Sequence, residues 1–279
     1  MASDLKPTIR ILHNMARSGG TVLCKCLGSM HDIVLLSEIH PAGTSQFNPL
    51  DQANEWYELL TPTDLDHLRR SGEISFPTAI SLINQRCLER GKTLLIRDWS
   101  HLDFTAVPFF LERTDRLTTA DVLQNDFTVV NTASVRHPID QWLSLRGQAI
   151  MRNRIDLKTF LQGYRAFAEQ CLRIGFTRYE DFTVDPGAVL SELCSRLNLS
   201  YDSGFRDRWS SYTNITGDSG KGRVGSSITT PRRRPMEDGL LDEFQNSEDY
   251  QHIVRMLGYG VKGVDSVDRA SGQMGCPTI

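Results

Sequence analysis

An apolar, β-rich run, TIRILHN at residues 8–14, leads through Met15 and Ala16 into RSGGTVLCKCL at residues 17–27. A buried strand, a glycine-bearing turn and then a helix is a common way for a protein to hold an anion. The first amide N–H groups of the helix have no partner inside it, and its dipole favours negative charge there. A Walker-type loop, G-x-x-x-x-G-K-[ST], laid on this stretch puts Asn14 at the first glycine, Gly19 at the second, Gly20 at the lysine and Thr21 at the last position. The lysine that normally meets the phosphates is therefore missing. Arg17, just ahead of the glycines, is the cation that can approach from the other side of the turn.

The same alternation continues along the chain. KTLLIRD (92–98), FTVVNT (127–132) and RIGFTR (173–178) read as buried strands, and LLSEIHP carries a further strand that ends near Glu38. Between them lie helical patterns at 20–30, 77–90, 138–150 and 186–197, with Pro138 and Pro186 standing where a first helical turn tolerates proline. Strands alternating with helices predict an α/β fold: a single domain with a mainly parallel central sheet flanked by helices, P-loop-like at its first turn. The chain of 279 residues is long enough to bury such a core. The domain is expected over 1–257. Residues 41–76, rich in turn formers and carrying Trp56 and Tyr57, read as a helical or loop lid insertion. Residues 214–235, NITGDSGKGRVGSSITTPRRRP, read as a basic flexible loop whose PRRRP end is a solvated charge run, and 258–279 as a loosely ordered tail.

Composition narrows the function. A formal charge of −3 argues against a nucleic-acid partner, which usually calls for a basic excess. No apolar run approaches the about 18 residues that a membrane helix needs. The start, MASDLKPTIRI, lacks a basic end leading into an apolar core, so a cytoplasmic protein is expected. The six cysteines are scattered, and Cys24 and Cys26 point apart on a helix, which suits free thiols.

The run Arg17-Ser18-Gly19-Gly20-Thr21 resembles the 5′-phosphosulfate loop of the sulfotransferase family, commonly [KR]-S-G-[ST]-T, with Gly20 in place of the usual hydroxyl residue. Three later stretches follow in that family's order. In FTVVNTASVRHPIDQWLSL, Arg136 lies just past a strand and Ser144 eight residues further along a helix. FTRYEDFTVDP is similar to the family's Y-E-D-x-x-x-[DN]-P segment, and Lys221-Gly222 to its flexible R-K-G segment, with Gly220 where arginine is expected and Arg223 following. The resemblance implies that 3′-phosphoadenosine 5′-phosphosulfate (PAPS) is the donor. Arg17, Ser18, Gly19, Gly20, Thr21 and Val22 would hold its phosphosulfate; Arg136 and Ser144 its 3′-phosphate, with Lys221, Gly222 and Arg223 closing over it; and Tyr179 would approach the adenine. Glu180 and Asp181 would brace the loop. An arginine fork with a hydroxyl beside it suits a phosphate.

Sulfuryl transfer needs a base for the acceptor's proton and positive charge near the bridging oxygen. The sulfuryl group carries less charge than a terminal phosphoryl group, so no metal is expected. In LLIRDWSHLDF (94–104), continuing the strand past Ile96 would send Arg97, Trp99 and His101 to one face and Asp98, Ser100 and Leu102 to the other. His101 and Arg97 fit the family's base and the basic residue before it, and Asp98 and Glu38 are the alternative bases. His137 would serve a helix start. The acceptor, a small molecule or glycan offering a hydroxyl or amine, is not legible. Two other readings stay open. One is an ATP-dependent P-loop kinase, with Asp98 ending an apolar strand as a Walker B carboxylate would. The other is an inactive nucleotide-binding module of the same fold.

Overall fold

The structure, a computed structural model, describes residues 6–72, 74–107, 112–149, 151, 154–218, 227–230 and 232–260. Its strands are β1 (Thr8–Asn14), β2 (Ile33–Ile39), β3 (Thr93–Asp98), β4 (Thr128–Val135) and β5 (Phe176–Arg178). Helix α1 (Gly20–Gly28) follows β1, and α2 (Pro49–Tyr57), α3 (Pro62–Ser71) and α4 (Phe76–Glu89) connect β2 to β3. After β3 come α5 (His101–Phe104) and α6 (Thr118–Leu123), and after β4 come α7 (Pro138–Arg146) and α8 (Leu157–Ile174). The chain ends with α9 (Tyr179–Val184), α10 (Pro186–Arg196), α11 (Phe205–Arg208), α12 (Leu240–Asn246) and α13 (Glu248–Leu257).

All pairings between described strands are parallel, in the order β2-β3-β1-β4-β5. Parallel strands need helical crossovers, which cover both faces and demand apolar residues on each. Ile9, Ile11, Leu94, Ile96, Ala133 and Val135 join one core with Ile83 of α4, Tyr164 and Phe167 of α8, and Ile253 of α13. Leu12, Leu35 and Leu95 join a second core with Val22, Leu23 and Cys26 of α1 and Leu190 and Leu193 of α10. The first connection leads from β1 to the β2 side and the last from β4 to β5, so the order reverses between β1 and β4. The crevice at such a switch point, outside the strand C-termini, is where open α/β sheets bind ligands.

Strand β4 runs three residues beyond the FTVVNT pattern, which leaves Arg136 immediately past its end. Strand β3 does not continue beyond Asp98. Ser100 Oγ donates to Asp98 Oδ2 at 2.5 Å and Leu102 N to Trp99 O at 3.1 Å, curling the chain into α5 and ending the strand alternation expected as far as His101. Helix α7 stops at Arg146 rather than near residue 150. Of the region expected as a lid, α2 is fastened to β2: Gln52 accepts from Ser37 N at 2.7 Å and donates to Ser37 O at 2.8 Å. Tyr57 in the same region accepts from Leu35 N at 3.2 Å and donates to Leu35 O at 2.9 Å, which fixes its ring against β2. No helix among the described residues is long and apolar enough to cross a membrane.

Candidate functional site

The turn after β1 is built on two left-handed residues, Arg17 (φ 66°) and Gly19 (φ 90°). Gly19 O accepts from Val22 N at 3.1 Å, starting α1 immediately after the turn. At Gly19 a side chain would collide: a Cβ would lie 2.2 Å from Cδ2 of Tyr179, whose ring lies on the loop. At Gly20 a Cβ would lie 2.4 Å from Asn14 Oδ1. Asn14 fills the space that a serine or threonine would need, which explains the glycine where the sulfotransferase pattern has a hydroxyl. Ser18 Oγ and Asn14 Nδ2 are both buried beside this turn with no protein partner. Unpaired buried polar atoms are costly and rare, and two of them at a helix-opening turn suit an anionic ligand.

The arginine past β4 reaches the same turn. Arg136 Nη1 donates to Arg17 O at 3.3 Å, and Arg17 Nε donates to Ser144 Oγ at 3.1 Å. The Arg136 guanidinium sits 5.4 Å from the centre of the Tyr179 ring. Four residues named from three separate stretches, Arg17, Arg136 with Ser144, and Tyr179, therefore meet at the β1–β4 crevice. His137 caps α7 by accepting from Ile139 N at 3.3 Å, as a residue serving a helix start should.

A cleft beside Arg136 is lined by Asp140, Tyr179, Glu180, Thr183, Thr230 and Arg233. Arg233 belongs to the PRRRP run read as solvated, yet its side chain is only 20% exposed and grips Asp140 by two bonds of 3.0 and 2.7 Å. Charge composition could not reveal this, because the partner lies 93 residues away on α7. Lys221, Gly222 and Arg223 lie outside the described residues.

On the far side of the loop, Arg97 is the hub. It is buried on the α1 face of the sheet and donates to Ser37 Oγ and to Thr216 O, each at 3.2 Å, and to Thr21 Oγ1 at 3.4 Å. Glu38 pairs with it at 3.5 Å from a left-handed residue (φ 57°) where the β2–β3 register slips. Non-glycine residues held in that conformation are strained and concentrate at functional sites. His101 opens α5 close by, against Trp99, whose ring is 5.4 Å away and which in turn meets Phe47 at 4.8 Å. Burial pushes the His101 pKa down to about 4, with Glu38 pulling upward and Arg97 downward. The imidazole is thus neutral near pH 7.

Asp98 is on the opposite face from Thr21. It is fully buried and accepts from His13 Nδ1 at 2.8 Å, Ser100 Oγ at 2.5 Å and Thr119 Oγ1 at 2.5 Å. Burial pushes its pKa up, but His13, His40 and these bonds hold it below the usual carboxylate range. Its neighbours occupy it fully, which removes it as a base and as a carboxylate facing the anion loop.

The parallel strand order and the strand–turn–helix that opens it define a P-loop-like class of α/β fold. No family model matches the chain, and no curated protein matches it. Solved structures do. The sulfotransferase domain of the Synechococcus PCC 7002 olefin synthase superposes with a TM-score of 0.65 at 18% identity, over 93% of this chain and 98% of that one. The sulfotransferase domain from the curacin biosynthetic pathway gives 0.61 at 17% identity, over 92% of this chain and 99% of that one. The chain has the sulfotransferase fold.

Proposed function

We propose that the protein is a sulfotransferase using PAPS as donor and a hydroxyl or amine of a small-molecule or glycan as acceptor. The observation that carries this reading is the meeting of Arg17, Arg136, Ser144 and Tyr179 around a turn with two unpaired buried polar groups. The donor, when bound, supplies a sulfuryl group on a phosphate leaving group. The chain supplies everything around it. Arg17, Ser18 and the turn from Gly19 to Val22 hold the phosphosulfate end; Arg136 and Ser144 hold the 3′-phosphate, with Arg233 entering the same cleft and Lys221, Gly222 and Arg223 assigned to it by sequence alone. Tyr179 offers its ring to the adenine.

Arg97, already joined to Thr21, brings positive charge to the sulfuryl end, where charge builds on the bridging oxygen. His101 is the base: neutral because it is buried, it accepts the acceptor's proton, and the nearby Glu38 carboxylate stabilises the imidazolium formed. The acceptor loses a proton to His101 as its oxygen or nitrogen bonds to sulfur, and the nucleotide phosphate leaves. The kinase reading loses its main support, because Asp98 faces away from the loop and is bonded to His13, Ser100 and Thr119.

The test is calorimetric titration with 3′-phosphoadenosine 5′-phosphate, with and without magnesium. Metal-independent binding that weakens about ten- to a hundredfold in Arg136→Ala, the loss of a charged contact worth roughly 1.5–3 kcal/mol, supports the reading. Absence of binding, or preference for magnesium-ATP, overturns it. Tight binding without turnover across an acceptor panel assigns the protein to the inactive-module class.

A further inference from the structure

The last described residues of the chain reach back to the anion site. Helix α13 ends at Leu257 on a left-handed glycine, Gly258, and Tyr259 N returns to Val254 O at 2.8 Å. Arg178, at the end of β5, holds this corner: its Nη1 donates to Gly258 O at 2.9 Å, and its guanidinium lies 5.8 Å from the Tyr259 ring centre. The Tyr259 ring is 5.0 Å from that of His137, and its hydroxyl donates to Glu180 Oε2 at 2.8 Å. The other oxygen of Glu180 accepts from His137 N at 2.9 Å. One part-buried carboxylate thus bridges Tyr259 to the peptide that follows Arg136. The Arg136 peptide itself is held from below by Tyr164, whose hydroxyl donates to Arg136 O and accepts from Arg136 N at 3.3 Å.

Resting on the sulfotransferase reading above, we infer that Tyr259 is a positioning residue for nucleotide binding. By fixing Glu180, it sets the turn that aims Arg136 at the 3′-phosphate. The bond has no need to exist for packing alone, since a phenylalanine ring would fill the same space. A largely enclosed carboxylate left with one donor fewer relaxes toward another partner, and Arg136, which lines the same cleft and interacts electrostatically with Glu180, is the group the site needs turned toward its ligand instead. Tyr259→Phe therefore loosens recognition of the 3′-phosphate and of nothing else on the nucleotide.

The experiment is calorimetry on the full chain with two probes, 3′-phosphoadenosine 5′-phosphate and adenosine 5′-phosphate, which differ only in the 3′-phosphate. Wild type, Tyr259→Phe, Arg136→Ala and the double variant are compared. Losing one hydrogen bond to a charged group should weaken binding of the first probe roughly five- to twentyfold in Tyr259→Phe, and leave the second within about twofold. Arg136→Ala should absorb the effect, so that adding Tyr259→Phe to it changes nothing further. A tyrosine that only supports the fold would lower both affinities together, or add its loss to that of Arg136→Ala, and either result overturns the inference. So does a Tyr259→Phe protein that binds both probes as wild type does. If Tyr259→Phe fails to fold, Glu180→Gln is measured in its place, with the same selectivity loss expected and equal losses on both probes counting against. Failure of wild type to bind the first probe at all is a different result, and removes the sulfotransferase reading on which the inference stands.

Discussion

Asn14 and Gly20 compete for one space, and that competition decides which side chains the turn after β1 can carry. A Cβ on residue 20 would overlap Asn14 Oδ1, the atom that also accepts from Arg97 Nε at 3.4 Å. Gly20→Ser is therefore expected to lower the Tm and weaken nucleotide binding, and Asn14→Ala in the same chain should recover part of both. Thermal unfolding and calorimetry on the single and double variants check this; equal loss in both proteins would show that Asn14 is not the obstacle. His101 gives a second expectation. Its folded pKa, about 4, lies below the usual value near 6.5, so the unfolded chain binds a proton first as pH falls. The direction follows: stability is unaffected by His101 above about pH 6.5 and declines as pH drops from there toward 4, by up to about 3 kcal/mol at ~1.4 kcal/mol per pKa unit. Denaturant titrations of wild type and His101→Gln between pH 4 and 7 should diverge in this window, the variant showing the shallower slope. In the role of base proposed for it, His101 should also leave turnover without an inflection between pH 6 and 7. Among the residues that meet at the β1–β4 crevice, Arg17, Arg136 and Ser144 stood out in the sequence because chemistry and local spacing coincide there. Arg233 and Tyr259 did not, because each acts through a partner far away in sequence.

Elements, unlike residues, were legible as far as local patterns govern them. Strands β1 and β4 and helix α10 declared themselves by apolar runs and first-turn prolines. The end of β3 did not, since it depends on the Ser100–Asp98 bond and a turn rather than on hydrophobicity. Helix α8 was passed over although Phe160, Tyr164, Phe167 and Cys171 repeat at helical spacing along its buried face. The segment after Trp209–Ser211 was read only as a basic loop, yet residues 214–218 strap across the site. Thr216 bonds Ser37 and Arg97, and Asp218 pairs with Lys25 at 2.9 Å. The strap is joined to α2 by Asn214 Nδ2, which donates to Trp56 O at 3.1 Å, and the turn just before it by the Tyr57 and Tyr212 hydroxyls, 2.5 Å apart. Tyr57→Phe removes that link together with both bonds to Leu35, and should cost about 1–3 kcal/mol. It should also open the strap, seen as faster amide exchange at Thr216 and Gly217 by mass spectrometry. Unchanged exchange would mean that the bonds of Asn214, Thr216 and Asp218 to Trp56, Ser37, Arg97 and Lys25 suffice to hold it.

At the scale of the molecule, the sheet separates two kinds of chemistry on its two faces. The α1 face carries Asn14, Thr21 and Arg97, which the proposed reaction uses. The other carries a buried polar cluster. His13 pairs with Asp98, and His40 Nε2 approaches Asp103 Oδ2 at 3.3 Å. Thr114 and Thr118 close on Asp103 at 2.6 and 2.5 Å. This cluster ties β1, β3, the turn after β2, α5 and α6 together just where their ends must meet to place His101 and Arg97. Its removal should read as lost stability, not lost ligand contact. Asp98→Asn places an amide N–H₂ against side chains that all donate to the carboxylate, and breaking a buried charged network costs about 3 kcal/mol or more. For a chain of this size that amounts to a Tm fall of roughly 6–12 °C. The folded variant should still bind 3′-phosphoadenosine 5′-phosphate within about threefold of wild type, since Asp98 bonds to His13, Ser100 and Thr119 and to none of the residues assigned to the nucleotide. An Asp98→Asn protein with unchanged Tm that has lost magnesium-dependent ATP binding would reverse this assignment. The aspartate would then have faced the phosphates all along, and the fold would be serving phosphoryl rather than sulfuryl transfer.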